Sequence, residues 1–375
     1  MQLIIDLFNN IAAFLIVLTI IVFVHEFGHY FIARLSGIKI EDFSIGFGKE
    51  LFGWYDKNGT RWKVCCIPIG GYVKMFGDAN YASNPDQDKL SSLNHQELKQ
   101  SFYTQSLKVK SAVVAAGPIA NFILAIVILS VFFWWYGAPY VSNQVSYIDP
   151  KSRAEEADIK VGDIITAIDG KTVKDFSEIE RIVSISPEIE LQLSINRMNQ
   201  VIIKTVKPEK YMATDDYGHK IKVGRLGIGA NIIEHAKYNM LQSINMAFKT
   251  TINISYITLK TLGQMIVGKR SIDELGGPIR IAKYSGESMK KGMKMLLWFV
   301  AILSINLGLI NIMPIPIPIP MLDGGHLMHY LVEAILGKNA SEIFQRYSTK
   351  IGLVIIIMIF ILSTFNDLIQ LKLFN

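Results

Sequence analysis

His25-Glu26-Phe27-Gly28-His29 sets two imidazoles four residues apart with a carboxylate beside the first. On a helix, positions i and i+4 share a face, so both rings can offer a nitrogen to one ion. In a His-Glu-x-x-His pentad the histidines bind zinc and the glutamate takes a proton from a zinc-bound water. The pentad lies inside an apolar stretch that begins near Ile11 and runs past Tyr30. Ionisable groups are costly in a bilayer and mark functional sites there. The competing reading is a buried polar cluster that ties helices together. A second candidate, Asp323, follows an unusual segment with prolines at 314, 316, 318 and 320, which excludes a helix and imposes an extended path. Taken alone, that segment also reads as a rigid exit from a membrane.

The elements that must position these groups are apolar blocks at about Ile11–Ala33, Ala112–Tyr136, Met295–Met313 and Ile351–Leu371, each near the length of a spanning helix. The chain has 375 residues, 50% of them hydrophobic, which is too apolar for an ordinary soluble enzyme. The first block lacks a basic n-region and a small-residue cleavage site, so it is expected to be a retained span. Four spans place both termini on one side. Met1–Asn10 carries no Lys or Arg, whereas Arg34, Lys39, Lys108 and Lys110 flank the next loop, which is expected to face the cytoplasm. The first and third spans then run in the same direction. The pentad and Asp323 fall near the same boundary, where Asp323 could complete a two-His, one-carboxylate site with an open position for water. The net charge of +6 fits membrane flanks, and no interleaving of basic and aromatic residues suggests nucleic acid. The only two cysteines, Cys65 and Cys66, are adjacent, so no disulfide framework is expected.

Ile67–Met75 reads as strand, turn, strand around Gly70-Gly71: a hairpin that dips toward the embedded site and offers an edge through Gly70, Gly71, Tyr72 and Val73. Asn80–Gln100 reads as a polar surface loop that carries His95. Residues 141–230 are expected to form one soluble α+β domain, with strands at Val145–Ile148, Ile164–Ile168, Leu191–Ile195 and Val201–Val206 and a helix at Phe176–Val183. Residues 231–292 read as amphipathic helices on the outer membrane face. The first membrane half is thus 1–140 and the second 293–375. His219 and His235 read as surface or interfacial residues.

With these motifs in order, the chain resembles the site-2 proteases, intramembrane zinc metalloproteases, in the bacterial branch of the regulator-of-sigma-E protease. The matching segments are the pentad; Ile67–Met75 as a membrane-associated β-hairpin; Ala116-Gly117-Pro118-Ile119-Ala120-Asn121-Phe122 in the second span; Val145–Val173 as part of a PDZ-like domain; Gly276-Gly277-Pro278-Ile279; and Leu322-Asp323-Gly324-Gly325-His326. The resemblance implies a polytopic α-helical membrane protein with about four transmembrane helices, a membrane-associated β-hairpin and one inserted PDZ-like domain. It implies His25, His29 and Asp323 as Zn2+ ligands and Glu26 as the catalytic acid/base. Asn311, Pro314 and Pro316 match the family's Asn-x-x-Pro-x-Pro, which helps hold an unwound substrate. The implied partners are the lipid bilayer and single-span membrane substrates, such as anti-sigma factors or remnant signal peptides. The implied location is the bacterial inner membrane, with the termini and PDZ-like domain on the periplasmic side.

The chain departs from the family pattern in two respects. Asp323 follows Asn311 by twelve residues where the family has eight, because an Ile-Pro pair recurs. A single PDZ-like domain is present, and its Leu226-Gly227-Ile228-Gly229, resembling a carboxylate-binding loop, comes at the domain's end. Two alternatives compete with the intramembrane protease. One is a membrane-anchored zincin of the heat-shock peptidase type, for which Glu333 would be the nearby third ligand. The other is a non-catalytic metal-binding scaffold that recruits partners through its PDZ-like domain.

Overall fold

The computed structural model describes residues 2–78, 93–214, 220–268, 276–313 and 322–370. Pro314 and Pro316, the remainder of the proline segment and His219 lie outside them. The chain divides into two compact units, Met1–Phe133 with Asn239–Asn375, and Trp134–Tyr238.

The first unit is built on long apolar helices. Helix α1 spans Gln2–Leu35. It is followed by strands β1 (Ile40–Tyr55) and β2 (Arg61–Met75), a short helix α2 (His95–Gln100) and helix α3 (Leu107–Tyr136). After the second unit come α6 (Met240–Ile266), α7 (Pro278–Lys290), α8 (Met293–Ile312), α9 (Asp323–Leu336) and α10 (Lys338–Gln370). Three described helices are long and apolar enough to cross a membrane: Leu7–Leu35, Leu107–Tyr136 and Met293–Ile312. They contain the first three expected spans. The fourth falls in α10, which contributes only the shorter apolar run Ile357–Ile369. That run is interrupted by Ser363, Asn366 and Asp367, all turned inward and buried.

The expected hairpin at 67–75 is larger than the sequence suggested. β2 is one strand from Arg61 to Met75, and its partner is β1. One reversal lies at Asp56-Lys57-Asn58-Gly59, where Asp56 Oδ1 accepts from the backbone N–H of Asn58 and Thr60 and Gly59 takes a positive φ of 79°. That is an Asx-stabilised turn. β2 also turns back on itself before Gly71: Arg61–Val64 runs parallel to Asp42–Ile45 whereas Gly71–Lys74 runs antiparallel to it, and Gly70, at φ 97°, lies beside that turn. The central segment Asp42–Ile45 pairs with Lys74–Gly71 on one side and with Arg61–Val64 on the other. The 71–75 segment therefore has ladder partners on one side only among the described residues. Beneath this small sheet Phe43, Ile38, Ile40 and Val73 pack with Ala33 of α1, Val113 of α3 and Tyr330 of α9.

Helix α6 meets the span α8 through a hydrogen bond from Thr258 Oγ1 to Asn306 Oδ1 of 3.2 Å. The N-terminus of α7 is capped from another helix: fully buried Asp367 of α10 accepts from the N–H of Gly277, from the N–H of Arg280 and from Arg280 Nε, at 2.9, 2.9 and 3.0 Å. A Cβ on Gly277 would fall 2.6 Å from that carboxylate, which is why glycine precedes Pro278.

The second unit carries a four-stranded antiparallel sheet in the order β6-β5-β7-β8: β5 (Ile164–Ile168), β6 (Lys171–Thr172), β7 (Leu191–Arg197) and β8 (Gln200–Val206). Alternation in β7 buries Leu191, Leu193 and Ile195 on one face. They pack against Ile179 and Val183 of helix α5 (Phe176–Ser184) and against Val145, Ile165 and Ile168. Helix α4 (Arg153–Glu156) is short, and β4 (Tyr147–Ile148) pairs with β11 (Ile228–Gly229). The unit extends beyond the expected 141–230, because β3 (Ala138–Val141) pairs with β12 (Ile233–Ala236) and draws entry and exit together. The amphipathic helices consequently begin at Met240, not 231. The antiparallel pair β9 (Glu209–Thr214) and β10 (Lys220–Arg225) completes the unit.

Candidate metal centre

The pentad forms on α1 as its spacing requires. His25 and His29 are both buried, and their rings meet edge to face with centroids 4.8 Å apart and Nε2 atoms 3.2 Å apart. One stripe of α3 lines both rings, at positions 113, 117 and 121, four residues apart. Val113 supplies its carbonyl oxygen, 2.9 Å from His29 Nδ1. Gly117 supplies room: a Cβ there would lie 2.3 Å from His29 Nε2 and 2.9 Å from His25 Cε1. Asn121, fully buried, places its amide 3.2 Å from His25 Nδ1. The two helices approach closely because Gly28 lies against Ala116 O, where a Cβ would come within 2.4 Å. Helix α8 closes the back: Ser304 Oγ donates to Asn121 O at 2.8 Å, and Asn311 Nδ2 lies 3.5 Å from His25 Nε2.

Asp323 is the first residue of α9, and its carboxylate faces both imidazoles. Oδ2 lies 3.1 Å from His25 Nε2, and Oδ1 lies 3.4 Å from His29 Nε2. Among the described residues this trio is the grouping of His, Cys, Asp or Glu that could hold a metal ion. The distances test the fit. Zinc–nitrogen and zinc–oxygen bonds of about 2.0–2.1 Å in a tetrahedron put neighbouring ligand atoms about 3.3–3.4 Å apart. The observed separations of 3.1, 3.2 and 3.4 Å, the first and last to different oxygens of the Asp323 carboxylate, are of that size. Asp323 Oδ2 is moreover buried without a hydrogen-bond partner, and a cation would satisfy it. Three donors leave a fourth vertex for water or substrate.

Glu26 is half-buried on the adjacent face of α1, turned to the sheet. A Cβ on Gly71 would fall 3.0 Å from Glu26 Cγ and 2.7 Å from Ser44 O, so the one-sided 71–75 segment runs directly past the glutamate. The side chains of Tyr72 and Val73 are buried, with Tyr72 stacked on Phe47. What that segment has to offer is therefore backbone.

The family comparison agrees with this geometry. The model of peptidase family M50 matches residues 13–359. The chain belongs to peptidase family M50. A Rhizobium meliloti protein named "Putative zinc metalloprotease" is 41% identical over 96% of this chain and 96% of its own length. A Rickettsia conorii protein of the same description is 41% identical over 96% of this chain and 98% of its own. The metalloprotease MmpA of Caulobacter vibrioides is 30% identical over 97% and 96%. Among solved structures, the PDZ domain of the SdrC-like protein from Listeria innocua is 20% identical, covers 25% of this chain and 99% of its own, and has a TM-score of 0.20. The M50 chain is a site-2-type zinc metalloprotease of the membrane.

Sequence reasoning found the pentad, Asp323, Asn311 and Gly70–Val73; the structure brings His25, His29, Asp323 and Asn311 together, and of Gly70–Val73 it sets Gly71 against Glu26. Gly70 packs instead on Phe47, where a Cβ would meet the ring at 2.6 Å. Glu333 of the heat-shock-type alternative is not part of the cluster. Val113, Gly117 and Ser304 were missed. The first acts through its main chain and the second through a missing side chain, neither of which carries a compositional signal.

Proposed function

We propose that this M50 protease hydrolyses peptide bonds inside single-span membrane substrates, such as anti-sigma-factor-like proteins or remnant signal peptides. His25, His29 and Asp323 hold the zinc, and Glu26 is the acid/base. The observation that carries the reading is the grouping of His25, His29 and Asp323 donor atoms at zinc-ligand spacing, set beside a carboxylate and a strand with ladder partners on one side only among the described residues. Zinc, when bound, lowers the pKa of a water toward neutrality and polarises a carbonyl. In this reading Glu26 receives that water's proton and passes it to the leaving amine. A helical substrate hides its amides in its own hydrogen bonds and must unwind to be cut. On the same reading the main chain of Gly71–Val73 takes up the released groups by strand addition, and Asn311, whose Nδ2 lies 3.5 Å from His25 Nε2, helps hold the unwound segment. In this reading the protein sits in the bacterial inner membrane, the sheet lies near the cytoplasmic boundary, and the PDZ-like unit stands in the periplasm and excludes substrates with bulky outer domains.

The test is cleavage of a tagged single-span reporter in reconstituted membranes by wild type and Glu26→Gln, with zinc measured on both. Zinc in both proteins and a rate lowered by about 10²–10⁴-fold in the variant is expected. Undiminished cleavage by Glu26→Gln would remove Glu26 from the mechanism. The family match and the position of Glu333 leave the heat-shock-type and scaffold alternatives without support.

A further inference from the structure

The two imidazoles are held at Nδ1 by different means. Val113 O can only accept, so the proton of His29 lies on Nδ1 and its Nε2 presents a lone pair. His25 Nδ1 faces a side chain, the amide of Asn121. That side chain is fully buried, and its Oδ1 has no hydrogen-bond partner where it stands. The oxygen and nitrogen of an amide exchange places by a half-turn, and the hydrogen-bond network decides between them. With Oδ1 turned to His25, the orphaned oxygen gains the Nδ1–H donor. His25 Nε2 then presents a lone pair toward the point His29 Nε2 and Asp323 already face. With Nδ2 turned to His25 instead, the imidazole proton is forced onto Nε2, and that tautomer has no lone pair for a metal.

We propose that Asn121 is a positioning residue for the zinc: its Oδ1 accepts from His25 Nδ1–H and locks His25 in the metal-binding tautomer. The proposal rests on His25 being a ligand. It also explains an asymmetry in the centre. His29 is oriented by a main-chain carbonyl that no substitution removes, whereas His25 is oriented by a side chain that one substitution abolishes. The other contact of Asn121 uses its backbone carbonyl, which receives Ser304 Oγ–H, so replacing the side chain leaves that helix–helix bond in place.

The experiment compares full-length wild type, Asn121→Leu, Asn121→Asp and His25→Ala in detergent. It reads zinc affinity by chelator competition, the visible spectrum of the cobalt-substituted proteins, and thermal melting of the metal-free forms. Asn121→Leu keeps the number and branching of heavy atoms and removes the acceptor; it is expected to bind zinc about 10–100-fold more weakly and to alter the cobalt bands. Asn121→Asp retains an acceptor and is expected to stay near wild-type affinity. Wild-type zinc affinity in Asn121→Leu would overturn the proposal. So would equal losses in the Asp and Leu variants, because packing and not the acceptor would then be responsible. Unchanged affinity in His25→Ala is a separate failure, which would overturn the ligand assignment itself.

Discussion

Gly117→Ala adds a single methyl group at the point where α3 passes the two imidazoles. Its Cβ would lie 2.3 Å from His29 Nε2, 2.5 Å from His29 Cε1 and 2.9 Å from His25 Cε1, against an ordinary contact that begins at 3.4 Å. The rings must therefore retreat by about 1 Å, half the length of a zinc–nitrogen bond of about 2.0–2.1 Å. Misplacement on that scale costs on the order of 10²-fold in rate, and zinc binding weakens with it. Stability responds differently. Overpacking costs about 1–3 kcal/mol, but alanine is better than glycine inside a helix by about 1 kcal/mol, so the melting temperature of the metal-free protein moves little. Chelator competition, reporter cleavage and a thermal melt on one preparation separate the two effects. A Gly117→Ala protein with wild-type zinc affinity and rate would show that the imidazoles do not occupy these positions in the working enzyme.

Gly71→Ala should retain zinc yet slow cleavage by about tenfold or more, because the new methyl presses on Glu26 Cγ and Ser44 O; zinc assay and reporter rate on one sample check this. Asp78 is buried where Met75 N–H and Tyr103 O–H donate to it; burial raises its pKa to about 6, and these two bonds hold it from rising further. It binds its proton more tightly folded than unfolded, so its contribution to stability falls as pH rises from about 4 to about 6 and is flat above, by about 3 kcal/mol in all. Denaturation across that range should show the slope in wild type and lose it in Asp78→Asn. Asp367→Ala leaves the Arg280 guanidinium and the α7 N-terminus without their carboxylate and should destabilise by about 3–5 kcal/mol in a denaturant titration. Because Ala138 pairs with Ala236, residues 138–236 can be replaced by a short linker; the resulting protein should cut reporters with bulky outer domains that wild type rejects, and unchanged selectivity would refute the filter.

The candidate trio His25, His29 and Asp323 was legible because each member is a reactive side chain in a compact pattern. Residues 164–168 read as a strand because turn signals bound a short apolar run, even though a register shift between Ile165 and Ala167 breaks its alternation. β1 was not read, since Gly46 and Gly48 at positive φ and Gly53 against Trp62 O break its alternation. The helical start at Asp323 was equally hidden: Gly324 and Gly325 weaken helix propensity, and only contact shows why glycine is needed, a Cβ on Gly324 falling 2.4 Å from Met313 O. Asn121 stood in the sequence as part of a motif without a role, because its partner lies on another helix. The Asp367 cap on α7 joins residues far apart in the chain, and no local pattern announces it.

The donors of the centre also have an order in time. α1 and α3 are synthesised early, so His25, His29 and the stripe that orients them come together while most of the chain is still on the ribosome. Asp323 arrives only after the whole second unit and α6 to α8 have followed. On the proposed ligand assignment, a half-made protein holds two imidazoles and no carboxylate. On that assignment, hydrolytic competence waits until α9 has been made.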